Sequence, residues 1–417
     1  MDSVEEDAQI QAHYSSLSLH RRCPQAWYYK YEVGLKEPSD RVAPERDFGI
    51  WWSALRAAEA IERGRKVDSL KAEPRKLGTV EGGPTFSMKT VTVNEVLEAA
   101  EQWWPGHKSL PDGEGGFAED QWKTRLGGEA PTLLRKLLER HLDQWGDEIK
   151  NEHPLGVEVF WKRQLPQPKD QWVPEGYPAM TLIGFVDELY FDTERGIVVA
   201  RDHKTTKKLD ISSAVDDMMD SQLQLYAWGA NPLVQEWGYE RGIRAVAYDR
   251  AKSVSPRPPS LTNSGRLRQY KGEPTVGMMD LQTYLEWVAS KPEYPGLKKD
   301  GSGAGIYEKE DAVVEKLSTP AAQSNWFQRA QMPLNRNLIQ THLRAAVDST
   351  FDQFRTIQRS RQTLEAQRNL GAACKWCPYV KLCRAQMVGG SEGMYELDEL
   401  GLIGKKGEKV LDEGVLV

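Results

Sequence analysis

The sequence lacks the features on which several common classes of protein depend. Only four of its 417 residues are cysteine, which is too few for a disulfide-stabilised secreted scaffold. No apolar run approaches the roughly 18 residues that a membrane-spanning helix needs, which argues against an integral membrane protein. The first residues, MDSVEEDAQI, are acidic and contain no apolar stretch, so we expect neither a signal peptide nor a transit peptide. These absences together predict a cytoplasmic protein.

Two catalytic signatures are absent as well. The seven histidines form no H-x-x-x-H pattern of the kind found in zinc hydrolases, and there is no G-x4-G-K-[ST] phosphate-binding loop. The second absence excludes an ATP-driven motor of the phosphate-loop type on this chain. The net charge of −6 argues against indiscriminate binding of nucleic acids, although it leaves room for a local basic groove.

The hydrophobic pattern changes along the chain from helical to strand-like and back. It predicts three early helices, at 14–36, 47–63 and 130–146. It then predicts strands at 156–165, 181–192 and 196–204, a helix at 211–229 and a strand at 241–249. The turn DTERG joins the second and third strands into a hairpin, and the remainder to about residue 368 reads as helical. Strands packed with helices between and after them predict a mixed α/β or α+β fold.

Two short motifs on the predicted hairpin carry candidate chemistry: G-F-V-D, ending at Asp187, and Asp202-His203-Lys204. Residues two apart on a strand share a face, so Asp202 and Lys204 point the same way. The hairpin brings Asp187 beside them, because its turn lies almost midway between the two aspartates. Two carboxylates on one face repel each other unless a divalent cation lies between them, and Mg²⁺ or Mn²⁺ suits such oxygen ligands. The backbone carbonyl of His203 is a further candidate ligand, and Lys204 would orient or deprotonate a metal-bound water.

Three other residues are candidates for the same site. Gln222 and Tyr226 form an i,i+4 pair on the next predicted helix and would border a site mounted on the strands, although such pairs are also common as amphipathic surface. Glu158, on the strand before Asp187, is either an additional carboxylate ligand or a solvent-facing residue. The alternative for the whole constellation is a surface hairpin with scattered charges, since an isolated D-x-K motif often occurs by chance.

In this order and spacing, G-F-V-D, D-H-K-T and Q-L-Q-L-Y resemble the nuclease motifs of the PD-(D/E)xK superfamily, and most closely its RecB-like exonuclease branch. The resemblance implies a restriction-endonuclease-like core, a central mixed sheet flanked by helices, that hydrolyses DNA with Mg²⁺ or Mn²⁺. It implies that Asp187 and Asp202 are metal ligands, that Lys204 is catalytic, and that Gln222 and Tyr226 are accessory residues. One departure is that the stretch 49–53, GIWWS, has no histidine where many members carry a metal-binding one. Related nucleases include CRISPR adaptation nucleases and phage recombination exonucleases.

The four cysteines have a spacing that random placement seldom produces. Cys374, Cys377 and Cys383 form C-x2-C-x5-C, and Cys23 lies far upstream in R-C-P. Four thiolates can hold zinc or an iron–sulfur cluster, and the residue chemistry leaves both open. The resemblance extends to this pattern, because a lone early cysteine and a C-terminal triple are similar to the [4Fe–4S] clasp of AddB-type nucleases. It implies a structural cluster that joins the two ends of the chain.

A basic stretch at 244–271 stands out in this net-acidic chain. It holds seven arginines and lysines against one acid, Asp249. Flexible cations of this kind suit phosphate contacts, which predicts DNA binding, whereas the alternative is a solvated basic loop. The candidate DNA-binding residues are Arg250, Lys252, Arg257, Arg266 and Arg268.

The leading hypothesis is a single nuclease domain over 14–385, with a core at about 150–250, helical insertions at 60–146 and 275–368, and a C-terminal tail at 386–417. The function expected is that of a metal-dependent DNA exonuclease in recombination, repair or phage DNA processing, in the cytoplasm of a bacterium or of a phage-infected host cell. A helicase or recombinase partner would supply any unwinding. The alternatives are a catalytically weak or inactive nuclease-fold DNA-binding protein and a zinc-stapled interaction module.

Overall fold

The computed structural model describes most of the chain in separate stretches. They are residues 10–35, 44–72, 77–78, 84–86, 91–106, 130–166, 179–206, 209, 220–257, 269–270, 273–274, 279–290, 313–323, 325–363 and 366–388. The predicted C-terminal tail, apart from its first three residues, and most of the predicted basic loop lie outside them.

A six-stranded mixed sheet forms the centre of the described structure. Its strands are β1 (Ile10–His13), β2 (Glu152–Gln164), β3 (Met180–Asp192), β4 (Ile197–Thr206), β5 (Ile243–Lys252) and β6 (Phe327–Pro333). The spatial order is β1-β3-β4-β5-β6, and β2 pairs with β3 from the other edge. The β2–β3, β3–β4 and β5–β6 pairs are antiparallel, whereas β1–β3 and β4–β5 are parallel. Two further ladders are very short, 77–78 with 85–86 and 269–270 with 273–274.

Helices cover the sheet. The longer ones are α1 (Tyr14–Arg22), α2 (Pro44–Val67), α3 (Val93–Gly106), α4 (Ala130–Ile149), α5 (Ser221–Glu236), α6 (Leu281–Ser290), α7 (Arg336–Thr363) and α8 (Val380–Val388). Short turns of helix lie at Pro24–Trp27, Pro320–Gln323 and, as a 3₁₀ helix, Ala372–Trp376, and a π-helix lies at Tyr28–Val33. None of the described helices is long and apolar enough to cross a membrane.

Two apolar clusters fix which helices cover which face. On β5, Val246 and Tyr248 pack in a cluster with residues of α5 and α7, whereas Ala251 packs in a second cluster with α2, α3 and α4. Side chains alternate across a strand, so these two clusters lie on opposite faces of the sheet. The sheet is therefore buried on both sides, and its strands are correspondingly rich in apolar residues. This arrangement is the mixed α/β fold, with a central sheet flanked by helices, that the sequence predicts.

Several predicted element bounds are wrong in detail. The helix expected at 14–36 ends at Arg22, because Cys23 is extended and Pro24 restarts a separate turn, which passes into the π-helix. The insertion expected to be helical at 275–368 contains β6, which pairs with β5. Strand β5 continues through Lys252, so the basic loop begins later than predicted. The helix predicted at 211–229 is α5, which begins at Ser221 and is capped by the side chain of Asp220.

Candidate active site

Strands β3 and β4 separate at the predicted catalytic residues. They pair from Asp192 with Ile197 to Glu188 with Arg201, while the first half of β3 pairs with β1 instead. Asp187 is thus the first residue beyond the β3–β4 ladder, and its Oδ2 accepts a hydrogen bond from the backbone N–H of His203 at 2.9 Å. The side chain therefore bridges the gap that opens between the diverging strands, next to Asp202.

Lys204 closes the site on the β4 side. Its Nζ lies 3.1 Å from Oδ1 and 2.8 Å from Oδ2 of Asp202, so the two side chains share a face as the alternation predicts. Asp202 is buried, whereas the Lys204 side chain is 41% exposed. Helix α2 begins close by, since a Cβ at Gly49 would stand 3.0 Å from Oγ1 of Thr205. The stretch 49–53 that lacks a histidine is therefore next to the end of β4.

The surroundings of the two aspartates disfavour their charged forms. Burial and the negative charge of Asp187 together raise the pKa of Asp202 to about 7, against the opposing charge of Lys204. Burial also raises the pKa of Asp187, although Lys204 and the His203 amide oppose the shift. In the described structure Lys204 is the cation that contacts Asp202 Oδ2, at 2.8 Å, and a single ammonium faces both carboxylates. Such a pair of carboxylates gains stability from a cation between them.

The predicted accessory residues lie beside the carboxylates. Burial raises the pKa of Tyr226 to about 12, a hydrogen bond from Gln222 opposes the shift, and the charges of Asp187 and Asp202 add to it. The Tyr226 ring packs edge-on against Trp161 of β2, with the two centroids 5.7 Å apart. Helix α5 thus brings both side chains of the i,i+4 pair to the site.

Glu158 lies opposite Asp187 across β2 and β3. Its neighbours Val157 and Val159 pair with Glu188 and Val186, whereas Glu158 itself has a φ of +47°. That left-handed conformation is uncommon for a residue other than glycine, and strain of this kind clusters at functional sites. No group of three or more His, Cys, Asp or Glu residues in the described part of the chain has the arrangement of a metal site. The roles of Glu158 and of the His203 carbonyl as ligands stay predictions.

An aromatic pair next to the carboxylates was not predicted. Phe160 and Phe185 are paired across β2 and β3 with ring centroids 5.1 Å apart, and Phe160 is 48% exposed. Phe185 is two residues from Asp187 on the same strand and so shares its face. The sequence did contain a signal for this pair. Each of the two neighbouring strands carries an aromatic residue close to the G-F-V-D motif.

A layer of buried charges lies behind the site, and sequence reasoning missed it. Arg201 is wholly buried, with its guanidinium 3.0 Å from Glu188 Oε2 and 2.6 Å from Glu152 Oε1. Glu188 Oε1 lies 2.9 Å from Arg63 of α2, which also contacts Glu59 at 3.1 Å. Burial by itself would raise the pKa of Glu188, but the positive charges of Arg201 and Arg63 lower it well below its usual value.

The same layer continues across β5. Asp249 is buried and lies 2.9 Å from His141 Nε2, 3.4 Å from Arg329 and 3.6 Å from Arg56. Burial and the charge of Arg56 lower the pKa of His141 to about 4, so its imidazole is neutral at pH 7. Burial also lowers the pKa of His203, whose ring contacts Glu188 at 3.5 Å. The sequence contained a signal for this layer, because charged residues interrupt the strongly apolar strands FVDELYFD and VVARDHK.

This buried charge layer is electrically balanced among the residues described. Its arginines and its carboxylates number four each, and both histidines have pKa values lowered by burial. Buried ions need partners of opposite charge, because an unpaired ion in the interior costs several kcal/mol. The layer consists of Arg56, Glu59, Arg63, His141, Glu152, Glu188, Arg201, His203, Asp249 and Arg329.

The four cysteines come together from the two ends of the chain. Cys23, Cys377 and Cys383 pack against one small apolar cluster with Tyr29 and Tyr379, and no disulfide is formed. Burial raises the pKa of Cys377, and the charges of the three other thiols raise it further. The four thiols are therefore neighbours, although within the described residues they do not have the arrangement of a metal site.

The predicted DNA-binding residues fall in different places. Arg250 and Lys252 belong to β5, where each cation lies over an aromatic ring, Tyr248 at 4.9 Å and Trp326 at 4.7 Å. Arg257 is exposed just beyond the strand. Arg266 and Arg268 lie outside the described residues, so nothing tests their predicted role.

A mixed sheet with two aspartates and a D-x-K lysine at a strand fork is the arrangement of a metal-dependent nuclease. The chain belongs to the PD-(D/E)XK nuclease superfamily, whose family model matches residues 13–384. Divalent metals are typical of this superfamily, and DNA is the substrate it implies. No curated protein matches the chain. Eight chains of solved structures do, among them the crystal structure of SSO0001, at 11% identity over 73% of this chain and 98% of that chain with a TM-score of 0.24.

Loss of Arg201 should destabilise the protein strongly. Arg201→Met keeps much of the side-chain volume but leaves Glu188 and Glu152 short of a buried cation, so we expect a loss of about 3–5 kcal/mol in the free energy of unfolding. The matched control is Arg195→Met, which removes an exposed ion pair and should cost less than about 1 kcal/mol. Urea denaturation measures both, and equal stabilities of the two variants would contradict the importance of the layer.

The raised pKa of Asp202 predicts a pH dependence in the metal-free protein. Between about pH 4 and pH 7 the folded state holds a proton that the unfolded chain has released, so this carboxyl lowers stability as pH rises through that window. Asp202→Asn should therefore be more stable than the wild type at pH 8 in EDTA, with the difference shrinking towards pH 4. Thermal melts across this range measure the difference, with Glu194→Gln in the exposed hairpin turn as the control. A difference that does not vary with pH would contradict the raised pKa.

Proposed function

We propose that the protein is a metal-dependent DNA exonuclease that uses Mg²⁺ or Mn²⁺. The observation that carries the proposal is the fork between β3 and β4, where buried Asp202 and half-buried Asp187, both with raised pKa, lie beside a partly exposed lysine. The match of the chain to the PD-(D/E)XK superfamily supports hydrolysis of phosphodiester bonds as the reaction. Exonuclease action follows from the resemblance of its motifs to the RecB-like branch.

Asp187 and Asp202 are the residues that would hold the catalytic metal. The burial of Asp202 and the mutual repulsion of the two carboxylates fit a hard divalent cation. When bound, such a cation supplies Lewis acidity and lowers the pKa of a coordinated water. Glu158 is the nearest candidate for a further carboxylate, since its neighbours on β2 pair with those of Asp187 on β3.

Lys204 is a cation in the metal-free protein. Burial opposes its charge, but Asp202 and Asp187 raise its pKa above the usual value for lysine. The ammonium is therefore protonated at pH 7 and can donate hydrogen bonds to a phosphate oxygen or to the attacking water. Of the two roles expected from the sequence, the protonated form suits orientation of the water. Deprotonation of the water stays a prediction for the metal-bound site, because a bound cation would offset the aspartate charges that raise the pKa of Lys204.

Tyr226 and Gln222 would position the substrate. The Tyr226 hydroxyl stays protonated at neutral pH because its pKa is raised, so it can donate to a phosphate as well as accept from Gln222. The exposed Phe160 with Phe185 offers a surface on which a base can stack close to the carboxylates. Arg257 and the basic loop beyond it would add phosphate contacts.

The cysteines would hold a structural [4Fe–4S] cluster. The spacing of Cys374, Cys377 and Cys383, together with the distant Cys23, supports four thiolate ligands, as does the closeness of the four thiols. The backbone N–H of Gly371 points to Cys374 Sγ at 3.5 Å, a hydrogen bond of the kind that stabilises cluster sulfurs. The cluster would join segments that are about 350 residues apart and so close a very long loop.

This activity fits a role in recombination, repair or the processing of phage DNA. The chain has no phosphate-loop motor, so a helicase or recombinase partner would supply single strands where they are needed.

Removal of either aspartate should abolish hydrolysis. Asp187→Asn and Asp202→Asn each remove a metal ligand while keeping the side-chain size, so cleavage of end-labelled DNA with Mg²⁺ or Mn²⁺ should fall by at least about 10³-fold with DNA binding largely retained. Glu194→Gln, an exposed acid in the turn of the same hairpin, is the control and should keep full activity. Undiminished cleavage by both aspartate variants would contradict the proposed site.

Cys377→Ser should bleach the protein and lower its stability. One lost thiolate generally disrupts a four-cysteine site on which folding depends. The wild type, purified without oxygen, should show visible absorption and about four iron atoms per chain by metal analysis. Stoichiometric zinc without iron would make the assignment of the cluster wrong, and it would leave the catalytic proposal untouched.

A further inference from the structure

Four arginines surround a cavity on the far side of α5 from the catalytic residues. The cavity has a volume of about 580 Å³ and lies between the C-terminal half of α5, the start of β5 and the start of α7. We call it the arginine cavity, and its basic lining residues are Arg163, Arg241, Arg244 and Arg336. No acidic side chain is among the described residues that line it, in a chain whose net charge is −6.

Among the described residues, the four cations have no carboxylate partner. No ion pair joins any of them to an acid within the described residues, whereas the arginines of the buried charge layer are paired. Arg163 shows the consequence most clearly, because burial lowers its pKa without a neighbouring acid to oppose the shift. Its guanidinium lies over the ring of Trp228, 4.1 Å from the centroid, and donates to the backbone carbonyl of the same residue. An anion in the cavity would supply the missing countercharge.

The walls of the cavity are fixed by local structure. Asn231 Oδ1 accepts a hydrogen bond from the backbone N–H of Ile243 at 2.8 Å, which holds α5 to the start of β5. Asn335 caps α7 by accepting from the N–H groups of Asn337 and Leu338 at 2.9 and 3.2 Å. Arg336 is therefore the first residue of a 28-residue helix, whose positive N-terminal end faces the same space.

The cavity is separate from the catalytic site. At about 100° per residue, Trp228, Asn231 and Gln235 lie about 140–200° around α5 from Tyr226. Along the helix axis the lining residues extend from Ala227, next to Tyr226, to Gln235, about 14 Å from Tyr226. A phosphate in the cavity would therefore belong to a part of the DNA other than the scissile bond.

We propose that the arginine cavity binds the phosphate groups of a ligand away from the cleavage site. Planar guanidinium groups bind phosphate oxygens in pairs, and a cavity of this size accommodates one or two nucleotides. The source that we expect is the backbone of a bound DNA strand, an identification that rests on the proposed function. A free nucleotide has the same chemistry and is the other source that the experiment distinguishes.

A double variant that removes two positive charges tests the cavity. The double variant Arg244→Gln with Arg336→Gln changes two exposed arginines that line it, so the fold should persist. The control is Arg195→Gln with Arg355→Gln, which removes the same charge from exposed sites elsewhere. Fluorescence anisotropy in EDTA measures binding of a labelled single-stranded oligonucleotide at several salt concentrations. A parallel titration uses a fluorescent nucleoside triphosphate, and circular dichroism verifies that all proteins are folded.

The DNA affinity of the cavity variant should fall roughly tenfold, and its salt slope should flatten by about 1.4, or 0.7 for each lost contact. The control should change much less in both quantities. Loss in the nucleotide titration alone would also support a phosphate site and would assign it to a free nucleotide. Binding equal to that of the control in both titrations would overturn the proposal. A wild type that binds no DNA would contradict the proposed function, while the nucleotide titration would still decide whether the cavity binds phosphate.

Discussion

The ion pair between Glu188 and Arg201 is the interaction on which the candidate active site depends. It joins the last paired residues of β3 and β4 before the strands separate, with 3.0 Å between the two charged groups. Asp187 and Asp202 are the neighbouring residues in sequence, so the pair lies at the point where the two catalytic strands part. A slip of one residue in this ladder would turn the charged side chains to the other face of the sheet, away from the partners that they have in the layer. The buried charges thus oppose alternative registers.

A buried charge layer is a poor source of net stability, because desolvation offsets most of the attraction between the ions. Its value here is better described as specificity. Strands buried on both faces are apolar almost throughout, and apolar contacts alone discriminate weakly between neighbouring registers. Charges that find partners in one register only restrict the sheet to that register. The layer connects α2, α4 and five strands, so it also fixes the helices that approach the end of β4.

The sequence predicted the local features better than those that depend on distant contacts. Alternation and the turn placed Asp202, Lys204 and Asp187 together correctly, because a hairpin is local and its periodicity is regular. The fork was not predictable, since it depends on β1 pairing with the first half of β3 from about 170 residues away. Strand β6 was read as helix for the same reason: its seven residues become a strand only by pairing with β5. The pairing of Arg201 with Glu188, Glu152 and α2 likewise requires the folded sheet.

The distribution of charge differs between the buried layer and the catalytic face. The buried layer carries no net charge among the residues described, although single members act on the site, since the charge of Glu188 raises the pKa of Asp187. At that face, Asp187, Asp202 and Lys204 sum to −1 when all are ionised, and the raised pKa of Asp202 reports the cost of that state. With a divalent cation held there, the sum becomes +1, which matches the single negative charge of a phosphodiester. On the proposed function, the same residues therefore disfavour full ionisation by themselves and favour substrate when they hold a cation.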